Sequence, residues 1–99
     1  DLASVAFRAD EYGWGELLLQ SIPLDGTQQG YDTEALKTVT HTAHLPVIVS
    51  GGAGTYEHFV QAIEAGASAV AAGAMWLFTE QTPLEAKRYM ASRGIPVRL

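Results

Sequence analysis

Residues 47–66 read VIVSGGAGTYEHFVQAIEAG and contain one complete strand–loop–helix unit. The short apolar run 47–50 is typical of a buried strand, and the glycines within 51–54 predict a loop. Thr55 can then cap a helix, because its hydroxyl can accept a hydrogen bond from a backbone N–H of the first turn. Apolar residues recur along that helix at helical spacing, and Gly66 is the expected stop. These apolar residues are Phe59, Ala62, Ile63 and Ala65.

The same unit is repeated before and after this segment. Short apolar runs predict three strands, over 16–22, 47–50 and 69–73. An opening helix is expected over 1–12, and Asp32 or Thr33 can cap a second helix whose apolar stripe is Leu36, Val39 and Ala43.

The last helix has the most complete start signal. Thr82 is the expected N-cap, Pro83 falls in the first turn, and Glu85 follows three residues after the cap. This combination predicts a capping box, in which the threonine and glutamate side chains each bind the other's backbone N–H. Gly94 is the expected end of the helix.

Alternating strands and helices predict an α/β fold of parallel strands with crossover helices. The strands are continuous apolar runs, which is typical of strands covered on both faces. Two architectures remain open: part of a (βα)₈ TIM barrel, or an open flavodoxin-like sheet. A complete barrel needs roughly 200 residues or more, whereas this chain has 99. We therefore expect residues 1–99 to form a single half-barrel domain, a fragment of a longer barrel that starts at Asp1 rather than Met.

The composition excludes several classes of protein. The chain has eleven acidic and six basic residues and a net charge of −5, so no basic surface for nucleic acid is expected. It contains no cysteine, which excludes disulfides and thiolate metal sites. The longest apolar run, 69–78, is far shorter than the ~20 residues of a membrane-spanning helix. We expect a soluble, cytoplasmic protein without a cofactor, metal, nucleic-acid or membrane partner, and with His41, His44 and His58 as surface residues.

Two glycine-containing loops follow consecutive strands, and they predict a phosphate site. Ser50, Gly51 and Gly52 end one strand, and Gly73 and Ala74 end the next. Backbone without Cβ atoms can approach an anion closely, and barrels build phosphate sites at such strand ends. The alternative is that the glycines only form tight turns.

Two carboxylates lie at opposite ends of the first strand. Asp25 follows the strand, where it could move protons to and from a bound small molecule. It could equally form an Asx turn that only satisfies backbone N–H groups. Glu16 lies at the start of the strand, and exposure to solvent is the expectation for it from local chemistry.

Several segments combine into a more specific pattern. They are 16–22 with Asp25-Gly26-Thr27 and Gly30-Tyr31-Asp32, then 46–54 with 57–59, then 66–72 with Phe78, and the tail 94–99. In order, these resemble the sixth, seventh and eighth strands and the C-terminus of the cyclase subunit of imidazole glycerol phosphate synthase. Pro23-Leu24 and Ala74 depart from that family's usual residues.

The resemblance implies a histidine-biosynthesis cyclase that uses ammonia from a glutaminase subunit. The ammonia closes an imidazole ring on a phosphoribulosyl intermediate and yields imidazole glycerol phosphate. It also implies residue roles: Asp25 as a secondary acid or base, and Glu16 at the ammonia entrance. Ser50, Gly51, Gly52, Gly73 and Ala74 would hold the phosphate.

The two principal catalytic aspartates of that family belong to its first and fifth strands, which have no counterpart here. The resemblance therefore implies that the isolated chain binds a phosphorylated small molecule or inorganic phosphate, with little or no catalysis. The alternative is a non-catalytic half-barrel or flavodoxin-like module that binds phosphate and self-associates. We expect a homo-oligomer in either case, because an incomplete barrel leaves strand edges unpaired.

Overall fold

The computed structural model describes residues 2–11, 13 and 15–98, except for the side chain of Asp10. The elements in chain order are α1 (Leu2–Glu11), β1 (Leu17–Gln20), α2 (Thr33–Thr42), β2 (Val47–Ser50), α3 (Tyr56–Glu64), β3 (Ala69–Val70), α4 (Ala74–Phe78) and α5 (Pro83–Ser92). The predicted opening helix also included Asp1 and Tyr12, which lie outside the described residues. Within the described part, no helix has the length and apolar character needed to span a bilayer.

The three strands form one parallel sheet in the order β1-β2-β3, with Leu17 beside Val47 and Ile48 beside Ala69. In the helix layer, α1 contacts α2, α2 contacts α3, and α3 contacts α5. A flavodoxin-like sheet reverses its strand order and carries helices on both faces. Sequential strands with sequential neighbouring helices are instead the arrangement of a barrel segment. The chain is therefore α/β, with the architecture of part of a (βα)₈ barrel.

The helices cover only one face of the sheet. Val47 and Val49 are each 1% exposed and pack in a core with Leu36 and Phe59. Leu18, on the opposite face of β1, is 64% exposed. Successive strand residues point to opposite faces, and the described residues supply a helix layer for one face only. The prediction that both faces of the strands are buried is therefore wrong for this chain. In a complete barrel, the uncovered face of the sheet would line the barrel interior.

Both outer strands are shorter than predicted. β1 ends at Gln20 rather than at residue 22, because the chain turns after Ser21, whose carbonyl accepts a hydrogen bond from the Asp25 N–H at 3.0 Å. β3 contains only Ala69 and Val70, although the apolar run predicted a strand over 69–73. The Tyr31 hydroxyl donates to the carbonyl of Ala71, the residue that follows this early end.

Side chains cap three of the helices. Asp32, rather than Thr33, caps α2, and its Oδ1 accepts from the Ala35 N–H at 3.0 Å. Thr55 caps α3 as predicted. Thr82 caps α5 as predicted, and its hydroxyl accepts from the backbone N–H of the residue three positions on at 3.2 Å.

The other half of the predicted capping box at α5 is replaced by a tyrosine from α3. The Thr82 N–H donates to the Tyr56 hydroxyl at 3.0 Å, and that hydroxyl donates to Glu85 Oε1 at 3.2 Å. Glu85 Oε1 also accepts directly from the Thr82 hydroxyl at 3.1 Å, so the glutamate contacts the side chain of the cap residue directly and its backbone N–H only through Tyr56. This relay joins the start of α5 to α3.

Candidate functional site

The glycine loop 51–54 is interlocked with the loop 21–31 that follows β1. The Gly30 N–H donates to the Gly52 carbonyl at 2.7 Å. A Cβ atom on Gly52 would overlap the Gly30 carbonyl oxygen, and one on Gly54 would overlap the Gln28 carbonyl oxygen. Gly52 also has a φ of 114°, a conformation that favours glycine. These glycines are thus required for close approach between two loops, a reason beyond the tight turns considered from the sequence.

Two side chains hold the end of this loop. His58 Nδ1 accepts hydrogen bonds from the N–H groups of Gly54 and Thr55, at 3.0 and 3.2 Å. Gln81 Nε2 donates to the Gly54 carbonyl at 2.9 Å. Because Nδ1 acts as the acceptor, a neutral His58 ring in this arrangement carries its proton on Nε2. Both polar groups of the Gly54 backbone are therefore fixed before any ligand binds.

The middle of the loop has unused donors. Gly51, Gly52 and Ala53 are buried, yet none of their N–H groups donates to an acceptor among the described residues. Buried backbone donors are nearly always paired with protein or ordered water. Unpaired N–H groups in a glycine loop between a strand and a helix are suited to an anion. This loop can therefore accept an oxyanion through its backbone.

Gly73 and Ala74 lie at the same edge of the sheet, one strand further along. The pairing of Val49 with Val70 brings the segments that follow both strands to this edge. Gly73 is exposed, has a φ of −133°, and has no neighbouring atom within 4 Å of the position that a Cβ would take. Unlike the glycines of the 51–54 loop, it leaves open space beside the backbone.

Asp25 lies in the loop after β1 and is exposed. Among the described residues no donor reaches its carboxylate, so the Asx turn considered from the sequence does not form here. The Thr27 hydroxyl organises this turn instead, donating to the Leu24 carbonyl at 2.7 Å and accepting from the Gln29 N–H at 3.3 Å. The carboxylate of Asp25 is left open to solvent at the edge that carries the glycine loops.

Glu16 lies at the opposite edge, immediately before β1, and is exposed as local chemistry predicted. The length of β1 separates it from Asp25, so the two carboxylates cannot act on one group. Among the described residues, no group of three or more histidine, aspartate and glutamate side chains could hold a metal ion.

Three residues around the loops were missed by sequence reasoning. His58 was predicted to be a surface residue, which is wrong, because it is half-buried and forms a capping box with Thr55. Its position three residues after the cap was a usable signal, although glutamate or glutamine is usual there. Gln81 reaches the loop from 27 residues away, and no local pattern marked it. Tyr31 was noted only as part of a motif, yet it is 7% exposed and stacks on Phe59.

Comparison with curated proteins identifies close relatives. The chain is 48% identical over 93 residues to the imidazole glycerol phosphate synthase subunit HisF of Endomicrobium trichonymphae, covering 94% of this chain and 36% of that protein. It is 43% identical over 99 residues to the same subunit of Pyrococcus furiosus, covering 100% of this chain and 39% of that protein. The chain thus spans less than two fifths of the length of these relatives. The resemblance to the cyclase subunit is confirmed.

Two solved structures also share the fold. One is the N-acetylmannosamine-6-phosphate 2-epimerase from Clostridium perfringens, with a TM-score of 0.58, 26% identity, and coverage of 91% of this chain and 39% of that one. Another is the Amycolatopsis orientalis BexX/CysO complex, with a TM-score of 0.69, 25% identity, and coverage of 100% and 43%. The family model described as "Histidine biosynthesis protein" matches residues 1–82. Because that match spans most of the sequence, the chain belongs to the histidine biosynthesis protein family.

Proposed function

We propose that this chain is the phosphate-binding C-terminal portion of a histidine-biosynthesis cyclase. The parent enzyme would form imidazole glycerol phosphate from a phosphoribulosyl intermediate and ammonia. The observation that carries the proposal is the set of unpaired N–H groups at Gly51, Gly52 and Ala53, in a buried loop whose end is already fixed. Its ligand is a phosphorylated small molecule or inorganic phosphate.

Backbone donors suit this acidic chain better than lysines or arginines would. The net charge of −5 opposes anion binding at long range. The only two lysines, Lys37 and Lys87, lie on α2 and α5 rather than in the glycine loops. N–H groups at a strand–helix junction carry partial positive charge without a counterion, and α3 begins directly after the loop. Ser50 and the Gly73–Ala74 segment would complete the cradle from the same edge of the sheet.

Catalysis by the isolated chain should be absent or very weak. Asp25 is exposed, and among the described residues no base or acid contacts its carboxylate to tune it. General acid–base catalysis needs a positioned partner for each proton transferred. Asp25 would therefore play a secondary role that depends on groups supplied by the rest of the barrel.

The rest of the parent reaction is carried over from the resemblance to the cyclase subunit. By that resemblance, ammonia released by a glutaminase subunit would enter beside Glu16, which lies at the edge opposite Asp25, and would travel through the barrel interior. The uncovered face of the sheet, which includes Leu18, would line part of that path. A cytoplasmic location agrees with such a biosynthetic role.

A second candidate is a non-catalytic half-barrel that binds phosphate and self-associates. Leu18 is 64% exposed, and a mostly apolar cleft of about 480 Å³ lies between β3 and α5. Val70, Trp76 and Met90 are among the residues that line it. Exposed apolar surface of this kind favours association in water, and its test is the oligomeric state of the chain.

A charge substitution at Gly73 tests phosphate binding without disturbing the fold. Aspartate and asparagine both fit there, because Gly73 precedes α4 as its N-cap and its side-chain position is open. We expect inorganic phosphate to shift the amide NMR resonances of Gly51–Ala53 and Ala74 saturably in the wild type. Gly73→Asp should weaken binding about ten-fold or more, because a carboxylate repels the anion. Gly73→Asn, which is neutral and of the same size, should weaken binding clearly less than Gly73→Asp, because it adds the same bulk without the charge.

Three results would contradict the proposal. Wild-type amides that do not respond to phosphate would remove the site, and equal affinities for the aspartate and asparagine variants would place the anion elsewhere. Measurable ammonia-dependent formation of imidazole glycerol phosphate by the isolated chain would show that Asp25 is more than a secondary group.

A further inference from the structure

The hydrogen-bond ladder between β2 and β3 ends one hydrogen bond before the point at which a continued parallel pairing would place the next one. The Ala71 N–H donates to the Val49 carbonyl at 2.9 Å. In a parallel ladder the next rung would run from the Gly51 N–H to the Ala71 carbonyl. The strand pairing ends at Val49 and Val70, and that rung is not formed. β3 thus ends where the Ala71 carbonyl is not bound by Gly51, whose φ of 91° also turns the chain away from strand geometry.

That carbonyl is bound by a side chain from a distant loop. The Tyr31 hydroxyl donates to the Ala71 carbonyl oxygen at 2.7 Å, across 40 residues of sequence. Burial raises the pKa of the Tyr31 hydroxyl, so it remains a protonated donor at neutral pH. The hydroxyl thus binds the same carbonyl oxygen to which the Gly51 N–H would donate if the ladder continued.

The Tyr31 ring is buried and packs against another aromatic ring. It stacks on Phe59 with ring centroids 6.2 Å apart, and Phe59 in turn contacts Trp76 at 5.8 Å. The neighbouring Gly30 N–H donates to the Gly52 carbonyl. Residues 30 and 31 therefore touch the ends of both strands that flank the candidate phosphate site, and they connect the Asp25 loop to it.

We infer that Tyr31 is a positioning residue, whose hydroxyl ends the β2–β3 ladder and so leaves the Gly51 N–H free to bind a phosphate oxygen. The inference rests on the proposed phosphate site and adds to it a residue that does not touch the anion. When the Tyr31 hydroxyl binds the Ala71 carbonyl, the Gly51 N–H at the end of β2 remains available to an anion. This hydrogen bond also makes the geometry of the site depend on the loop that carries Asp25.

Tyr31→Phe tests this directly, because it removes the hydroxyl and keeps the stacked ring. The Ala71 carbonyl is then free to accept from Gly51, so the Gly51 amide should exchange with solvent more slowly than in the wild type. General loosening of the fold would instead make exchange faster. Inorganic phosphate should bind about three- to ten-fold more weakly, in line with the loss of one hydrogen bond, and the Gly51 resonance should respond least. Tyr89→Phe is the matched control, because the Tyr89 hydroxyl is bonded to Glu57 in the helix layer.

The outcomes separate this inference from the proposed function. A wild type that does not bind phosphate overturns the phosphate site, and the donor role of Gly51 with it. If the wild type binds phosphate and Tyr31→Phe has the same phosphate affinity and the same Gly51 exchange rate, only the role of Tyr31 is overturned. If Tyr31→Phe does not fold, exchange in the wild type decides, because slow exchange at Gly51 without phosphate would show that its N–H is already paired.

Discussion

Gly52 and Gly73 both follow strands, but glycine is needed at the two positions for different reasons. At Gly52 the backbone has a φ of 114°, and the place of a side chain is occupied by the Gly30 carbonyl. At Gly73 the φ is −133° and the side-chain position is open. A glycine-rich sequence at strand ends therefore does not by itself identify a ligand. Part of this pattern is explained by contact between neighbouring loops.

The difference predicts opposite tolerance to alanine. Gly52→Ala should lower the free energy of unfolding by about 3 kcal/mol, because it forces a strained backbone and separates the two loops. Gly73→Ala should change it by less than about 1 kcal/mol. Urea unfolding of the two variants measures both values. Similar losses for the two would show that the loops are not interlocked as described.

At the scale of elements, α3 and α5 are joined by two polar links on their outer surface. One is the Tyr56 relay to the cap of α5. The other is Glu57, which accepts from the Tyr89 hydroxyl and pairs with Arg93. The hydrogen bond from Tyr89, and next that from Arg93, lower the pKa of the Glu57 carboxyl. This link is exposed to solvent, so its contribution to stability is small but depends on pH.

The sign of that dependence follows from the lowered pKa. Glu57 binds its proton less readily in the folded chain than in the unfolded one, so it stabilises the fold above the ordinary value of 4.5. The stabilisation is lost as the pH falls through the lower folded value. Glu57→Gln should therefore cost stability at pH 7 and progressively less towards pH 3, as measured by urea unfolding at each pH. In a Tyr89→Phe background the pH-dependent part of this cost should shrink; if it is unchanged, Tyr89 is not its cause.

Local sequence predicted the elements whose causes are local. The caps at Thr55 and Thr82 and the strand over 47–50 depend on neighbouring residues, and they lie where the pattern placed them. β3 was predicted too long because local sequence reveals neither the φ of 91° at Gly51, which ends the paired strand, nor the hydrogen bond to Ala71 from Tyr31, 40 residues away. For the candidate site the same division holds. The glycine loops were found from the sequence, whereas the part played by Gln81 depends on a contact that no spacing reveals.

At the scale of the whole molecule, the chain is compact but incomplete as a barrel. Its Cα radius of gyration is 13.5 Å, close to the about 13 Å expected for a globular domain of 100 residues. Its shortest dimension, between Cα atoms, is 19 Å, which leaves room for one sheet and one layer of helices but not for a second helix layer. The core is therefore built on one side of the sheet, and Leu18 lies on the other side.

That open face should govern the state of the isolated chain in solution. We expect oligomers at micromolar concentration, because association would cover Leu18 and its apolar neighbours on the sheet. Leu18→Glu should shift the chain towards monomer in sedimentation. The added carboxylates of two associating chains would repel each other, and the net negative charge of the protein adds to that repulsion. Leu84→Glu is the matched control, because Leu84 is 48% exposed in the first turn of α5, where a carboxylate is tolerated. A folded wild-type monomer, or equal dissociation by both variants, would mean that the uncovered sheet does not drive association.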